Sequence, residues 1–353
     1  MHGLSRSKWS QSWKGLTVPS ELPAVDDKSI YDVFATRFVF PALMVSVEMG
    51  LYEHLGRGPC SIPDLAEALE LDVRATEAVV AVVAALGFLE NDAAGRFRMT
   101  SQAETYLSAD SPFFRRDLTH FESPIADALR LAVRASGAPV QPLAVQIAEL
   151  PSERVRAFME VMHAMTLPAA AGLAEQPVFQ RIHKLLDVAG GTGSLSLALA
   201  SRHPSLECVV LDLAPVCTIA REQIDQRGLG DQVHVMTANM FEDPWPTGFD
   251  GLLFGNIFHD WDLDSCRFLA RRAFETLPPA GTICLHEMLL SEAKDGPLTV
   301  ACFSIAMLLH EKGKQFTAAE LQQLLAGAGF IEFQATPSYG YYSLVTARKG
   351  PLA

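Results

Sequence analysis

The densest chemical signal lies at residues 185–195. There the apolar run Leu185-Leu186-Asp187-Val188 passes through Ala189 into Gly190, Gly191 and Gly193, then into the helix-forming Ser194-Leu195. Glycines at a strand-to-helix turn let a ligand approach the backbone, and the first N–H groups of the helix greet its polar atoms. Asp212 follows about 20 residues on, after the next apolar run, where a carboxylate can accept hydrogen bonds from both hydroxyls of a ribose. Together they read as a nucleoside-cofactor site. Ser196 replaces the third glycine of the dinucleotide fingerprint, and Asp187 would repel a pyrophosphate. That carboxylate suits a cationic amino-acid cofactor such as S-adenosylmethionine (SAM).

A second constellation, Phe258-His259-Asp260-Trp261-Asp262, follows the apolar run 251–254. Ligands of open parallel sheets bind beyond the carboxyl ends of the strands, so His259 is expected to face the same crevice. Its ordinary pKa near 6.5 makes it a usable base at neutral pH. Trp261 offers a flat face to an adenine, and Glu287, after the run 282–285, ends at the same rim. Asp260, Asp262 and Asp264 alternate along a loop or helix start and form no carboxylate cluster at the rim, so no metal is expected.

These residues need a scaffold, and hydrophobic period supplies one. From residue 184 onward short apolar runs at 185–188, 207–211, 233–236, 251–254 and 282–285 alternate with helix-length segments such as 214–227 and 265–277. That order predicts a doubly wound parallel sheet, with two further runs, 331–335 and 341–347, pairing antiparallel at its end. The first half reads as helical, with two more helices past Pro151, one carrying Phe158, Met162 and Met165. Ser61 with Asp64, and Asp72, mark helix starts, Gly87 marks a stop, and extended runs at 88–90 and 96–99 flank the turn 91–95. Helix, turn, helix, hairpin is the winged-helix order, whose usual association is DNA. Here residues 57–100 carry four basic and seven acidic side chains, and the helix at 76–86 offers almost nothing but Ala and Val, so it cannot read bases.

With these motifs in place, the chain resembles the plant-type and bacterial small-molecule O-methyltransferases of the caffeate and hydroxyindole type. The resemblance rests on 187–193, Asp212-Leu213, Asn239-Met240-Phe241, His259-Asp260-Trp261 with Asp264 and Cys266, and Glu287, and it spans nearly the whole chain. It implies an α/β, Rossmann-like SAM-binding sheet at 181–350, a winged-helix-like dimerisation domain at 28–112, linking and acceptor-pocket helices at 113–180, and an extension at 1–27. It also implies methyl transfer from SAM to an acceptor hydroxyl, with His259 as general base and Glu287 positioning its imidazole. Met240 and Trp261 would flank the adenine, and Thr166 falls where a family serine approaches SAM. Phe158, Met162 and Met165, with Phe303 and Met307 of the segment 300–310, would line the acceptor pocket. Three positions depart from the family pattern: Asn239 stands for an aspartate, Gly255 for a lysine of plant members, and Gln315 for a glutamate that flanks the histidine.

The whole chain agrees with an enzyme of small molecules. Its 353 residues are 49% hydrophobic with a net charge of −13, which disfavours phosphate backbones and anionic membranes. The six cysteines are scattered without metal spacing and read as reduced core thiols, the apolar run 78–89 is too short to span a bilayer, and no secretory signal shows. A cytoplasmic homodimer is expected, built on the apolar helix at 30–50, which needs a partner. Two other readings are open: a SAM-binding relative with non-methylating, or C- or N-methylating, chemistry, and a winged-helix ligand-sensing regulator.

Overall fold

The computed structural model describes residues 22–134, 146–147 and 149–350. Most of the predicted N-terminal extension, with Trp9 and Trp13, lies outside the described residues. The N-terminal part comprises α1 (Lys28–Glu48), α2 (Leu51–Leu55), α3 (Ile62–Ala68), α4 (Val73–Ala85), the hairpin β1 (Leu89–Asn91) and β2 (Phe97–Met99), α5 (Ser101–Tyr106) and α6 (Pro124–Arg134). The predicted starts hold physically: Ser61 accepts the backbone N–H of Asp64, and Asp72 accepts that of Ala75 at 2.8 Å. Helix α4 is buried along nearly its whole length, so its Ala and Val side chains serve packing.

One helix, α7 (Ser152–Ala174), replaces the two expected after Pro151; it runs through Pro168 and is followed by a 3-10 turn, Pro177–Arg181. Then come β3 (Lys184–Val188), α8 (Ser194–Arg202), β4 (Glu207–Asp212), α9 (Ala214–Arg227), β5 (Val233–Thr237), β6 (Gly251–Gly255), α10 (Leu263–Thr276), β7 (Thr282–Met288), α11 (Leu298–His310), α12 (Ala318–Gly327), β8 (Phe330–Tyr339) and β9 (Tyr342–Lys349). The sheet order is β5-β4-β3-β6-β7-β9-β8, with β3 to β7 parallel and β9 antiparallel to both β7 and β8. The order reverses between β3 and β6, and such a switch point opens a crevice at the carboxyl ends of the strands. Asp212 and Glu287 belong to their strands, one as the last residue of β4 and the other one residue from the end of β7, so both backbones are held by sheet hydrogen bonds.

Helices α1 and α7 carry longer apolar windows than 78–89, long enough to cross a bilayer by length and composition alone, and half of each window is buried inside the protein. Helix α1 packs on α4, α6 and α11. Its other face leaves Ile30, Val33, Phe34 and Phe40 exposed. Polar contacts tie the N-terminal helices to the C-terminal half. Lys294 and Lys314 each bridge Glu77 of α4 and Glu320 of α12 at 2.7–2.9 Å, and Arg74 donates to the carbonyls of Glu311 and Gly313 at 3.0 and 2.8 Å.

Candidate active site

A cavity of about 580 Å³ opens at the switch point, and its lining joins the turn after β3, the end of β4, the loop after β6 and one face of α7. The turn explains its own glycines. Gly191 and Gly193 adopt φ of +61° and +78°, which favour glycine, and a Cβ on Gly190 would lie 2.6 Å from the Asp187 carboxyl carbon. Asp187 is fully buried. One of its oxygens accepts from Ser196 at 2.7 Å, while Oδ1 has no hydrogen-bond partner among the described residues. Burial pushes its pKa up to about 7, with the Asp212 charge adding to the rise. Asp212 accepts the backbone N–H of Gly191 at 2.8 Å and of Leu213 at 2.7 Å, and burial raises it to about 6 against those two bonds. An orphaned buried carboxylate beside a glycine cradle fits the ammonium of an S-adenosyl amino acid, and Asp212 at the strand end fits its ribose.

The far wall suits an adenine. Met240, Phe241 and Trp261 line the cavity, with the Phe241 and Trp261 rings 4.5 Å apart and edge to face. Asn239 also lines it, although its side-chain oxygen accepts the Phe241 N–H at 3.0 Å, so any contact with the adenine would share that oxygen.

His259 sits in a 3-10 turn after β6, where Glu287 fixes the backbone by accepting the N–H groups of Ile257 and Phe258 at 3.1 and 3.0 Å. The other Glu287 oxygen lies 2.9 Å from His259 Nδ1, the Gln315 amide nitrogen lies 3.3 Å from the same atom, and Asp260 Oδ1 lies 3.2 Å from Nε2. Burial lowers the pKa of this imidazole, but the Glu287 and Asp260 carboxylates outweigh it and hold the pKa well above the usual value. The ring is therefore poised between two carboxylates, and Asn256, Ile257, Asp260 and Trp261 of this loop reach the cavity. His259 and Glu287 stand directly behind them and are not part of its lining.

The remaining expected residues divide into two groups. Phe158, Met162 and Thr166 of α7 line the cavity together with Gly190, Gly191, Asp212 and Leu213. Met165, Phe303 and Met307 pack instead in the core between α1, α4 and α11, where Phe303 lies 5.7 Å from Phe34 in a stacked arrangement. Gly193 lies beneath the turn as the cap of α8. The three aspartates have separate duties: Asp260 faces His259, Asp262 caps α10, and Asp264 pairs with Arg267. Met159, Asn256 and Lys312 line the cavity without having been expected. Met159 was within reach of periodicity, being one helical turn before Met162. Asn256 adopts φ +57° at the end of β6, and Lys312 follows α11. Nothing local in the sequence marks those two.

A doubly wound sheet with a glycine cradle at its switch point is a Rossmann-like arrangement for a nucleoside ligand. The chain matches the O-methyltransferase domain over residues 133–331 and the O-methyltransferase dimerisation domain over residues 34–109. It belongs to the O-methyltransferase family. It is 31% identical over 296 residues to 3-hydroxy-5-methyl-1-naphthoate 3-O-methyltransferase of Streptomyces sahachiroi, covering 82% of this chain and 85% of that protein. It is 26% identical over 328 residues to human acetylserotonin O-methyltransferase, with 88% and 94% coverage. The solved structure of an O-methyltransferase family 2 protein from Planctomyces limnophilus with apigenin superposes with a TM-score of 0.84 at 26% identity, over 93% of this chain and 98% of that one.

Proposed function

We propose that this enzyme transfers the methyl group of SAM to a hydroxyl of an aromatic or polyketide-like small molecule, with His259 as general base and Glu287 as the residue that orients it. The observation that carries the reading is the pairing of His259, after β6, with Glu287 of β7 behind a cavity that the Asp187–Gly191 cradle also lines. Relatives named for a hydroxynaphthoate and a hydroxyindole support an aromatic acceptor. Secondary metabolism is the natural setting.

Bound SAM would supply a methyl carbon made electrophilic by its sulfonium. Asp187 would hold the ammonium, Asp212 the ribose, and Met240, Phe241 and Trp261 the adenine, while Phe158, Met162 and Thr166 border the space left for the acceptor. His259 would take the hydroxyl proton of the acceptor as its oxygen becomes the nucleophile. With Nδ1–H directed at Glu287 and the Gln315 amide turning its oxygen to that atom, the proton-accepting atom is Nε2, which the acceptor reaches by taking the place of Asp260. Glu287 then stabilises the imidazolium that forms. Positioning donor and acceptor about 3 to 3.5 Å apart, together with this one base, is sufficient machinery, and the reading requires no metal.

Helix α4 is occupied by core packing, which supports a small-molecule acceptor over DNA. The exposed apolar face of α1, a helix that overlaps the region matching a dimerisation domain, supports a homodimer joined there. A cytoplasmic site of action belongs to the same reading. C-methylation is the second reading, favoured by 27% identity over 309 residues to L-tyrosine C(3)-methyltransferase of Streptomyces lavendulae.

Calorimetry with S-adenosylhomocysteine (SAH) tests the cofactor site. Asp212→Ala is expected to lose about 1.5 to 3 kcal/mol of binding, the scale of hydrogen bonds to a charged group. Both carboxyls must be ionised to bind, and burial raises them to about 7 and about 6, so wild-type affinity should climb as pH rises through that range and level off above it. Unchanged affinity in folded Asp212→Ala would remove the ribose contact from this site.

A further inference from the structure

Behind the glycine turn lies a buried polar chain for which the proposed reaction has no use. His163 of α7 places Nδ1 2.7 Å from Ser194 Oγ and 3.0 Å from Thr192 Oγ1, and the two hydroxyls are 2.8 Å apart. On the other side of the ring, Nε2 lies 3.1 Å from an Arg227 guanidinium nitrogen at the end of α9. His163, Thr192 and Ser194 are each at most 5% exposed, yet both hydroxyl residues line the cavity.

The hydrogen count gives this chain a direction. A guanidinium only donates, so Nε2 must accept, and the neutral ring carries its proton on Nδ1. Burial and the Arg227 charge lower the His163 pKa to about 4, so the ring is neutral at pH 7. Nδ1–H donates to the hydroxyl pair, one hydroxyl donates to the other, and one hydroxyl hydrogen is left over. No acceptor for it is found among the described residues. A positive charge at one end and a spare donor at the cavity make a site for an anionic oxygen, strengthened because each bond polarises the next.

We infer that Thr192 and Ser194, backed by His163 and Arg227, donate to the carboxylate of the cofactor's amino-acid end, opposite in role to Asp187, which takes its ammonium. The inference rests on the SAM reading above. It makes Thr192 and Ser194 binding residues and His163 a positioning residue. Lys312 is the other cationic candidate on the cavity lining, tied to Asp260 through its backbone N–H at 3.1 Å.

The test compares SAM with decarboxylated SAM (S-adenosylmethioninamine), which keeps the ammonium and lacks the carboxylate, by calorimetry without acceptor. In Thr192→Val/Ser194→Ala, SAM affinity should fall about tenfold or more, and decarboxylated SAM should bind within about twofold of its wild-type affinity. His163→Phe should show the same selective loss, with His163→Asn, which keeps a donor near the Nδ1 position, between it and wild type. If His163→Phe does not fold, the hydroxyl variants decide alone. Equal weakening of both ligands would mean a structural role, no weakening would mean no contact, and a selective loss in Lys312→Met instead would give the carboxylate to Lys312. Each of these overturns the inference and leaves the SAM reading intact. Failure of the wild type to bind either ligand would overturn both.

Discussion

At the scale of single residues, the proposed chemistry turns on what surrounds one imidazole. Asp187, the glycines, Asp212, His259 and Glu287 were legible because strand-end and turn positions carry their meaning locally. What the sequence could not show is that Asp260 reaches Nε2 while Glu287 holds Nδ1, since a 3-10 turn, and no regular period, sets those directions. Gln315 lies against Nδ1, which makes it the natural place to change the electrostatics. Replacing it by glutamate adds a negative charge beside the ring and raises the His259 pKa further. The base form is the neutral one, so the acid limb of a pH–rate profile should lie above pH 6.5 in wild type and move higher still in Gln315→Glu. Glu287→Gln removes a carboxylate and should move that limb down while slowing transfer. A limb at the same pH in all three proteins would detach these residues from the base.

At the scale of elements, the β3–α8 and β6–α10 connections bring the two halves of the chemistry together at the switch point. Their existence followed from period and glycine punctuation. Their ends did not: Asp212 closes β4, Glu287 lies within β7, and α7 continues through a proline where two helices were expected, because sheet pairing and burial decide ends that local preference leaves open. The displacement of Met165, Phe303 and Met307 from the cavity into the inter-helix core has the same origin, since a buried methionine or phenylalanine looks alike in sequence whether it lines a pocket or fills a core. The loop after α11 shows how tightly these elements fit. A Cβ on Gly313 would lie 2.0 Å from the carbonyl oxygen of His259. Gly313→Ala must therefore push the His259 turn, and it should lower the transfer rate by about tenfold or more, in line with the cost of misplacing a catalytic group by about 1 Å, while SAH affinity stays close to wild type. Calorimetry beside steady-state kinetics reads both; an unaffected rate would show that the turn yields without consequence.

At the scale of the whole molecule, the N-terminal helices and the catalytic sheet act as one body. Helix α11 packs on α1 and α4, and the Lys294, Lys314, Glu77 and Glu320 cluster bridges the two halves. The apolar character of α1 was plain in the sequence; that one face covers the core while Ile30, Val33, Phe34 and Phe40 remain exposed needed the packing. Phe34→Asp places a charge on that face and should shift the protein from dimer towards monomer in light scattering at micromolar concentration; a wild-type monomer would contradict the proposed interface. The central claim joins the sheet, the cradle and the base in a single event, and one measurement reaches it directly. Wild type and His259→Ala are incubated with SAM carrying a 13C-labelled methyl and a panel of hydroxylated naphthoates, indoles and flavones, and the product carbon is read by NMR. Wild type should give a methoxy carbon, and His259→Ala should give the same product about 10² to 10⁴ times more slowly with unchanged SAM affinity. A label found on carbon or nitrogen, or a His259→Ala enzyme as fast as wild type at pH 7, would contradict the account.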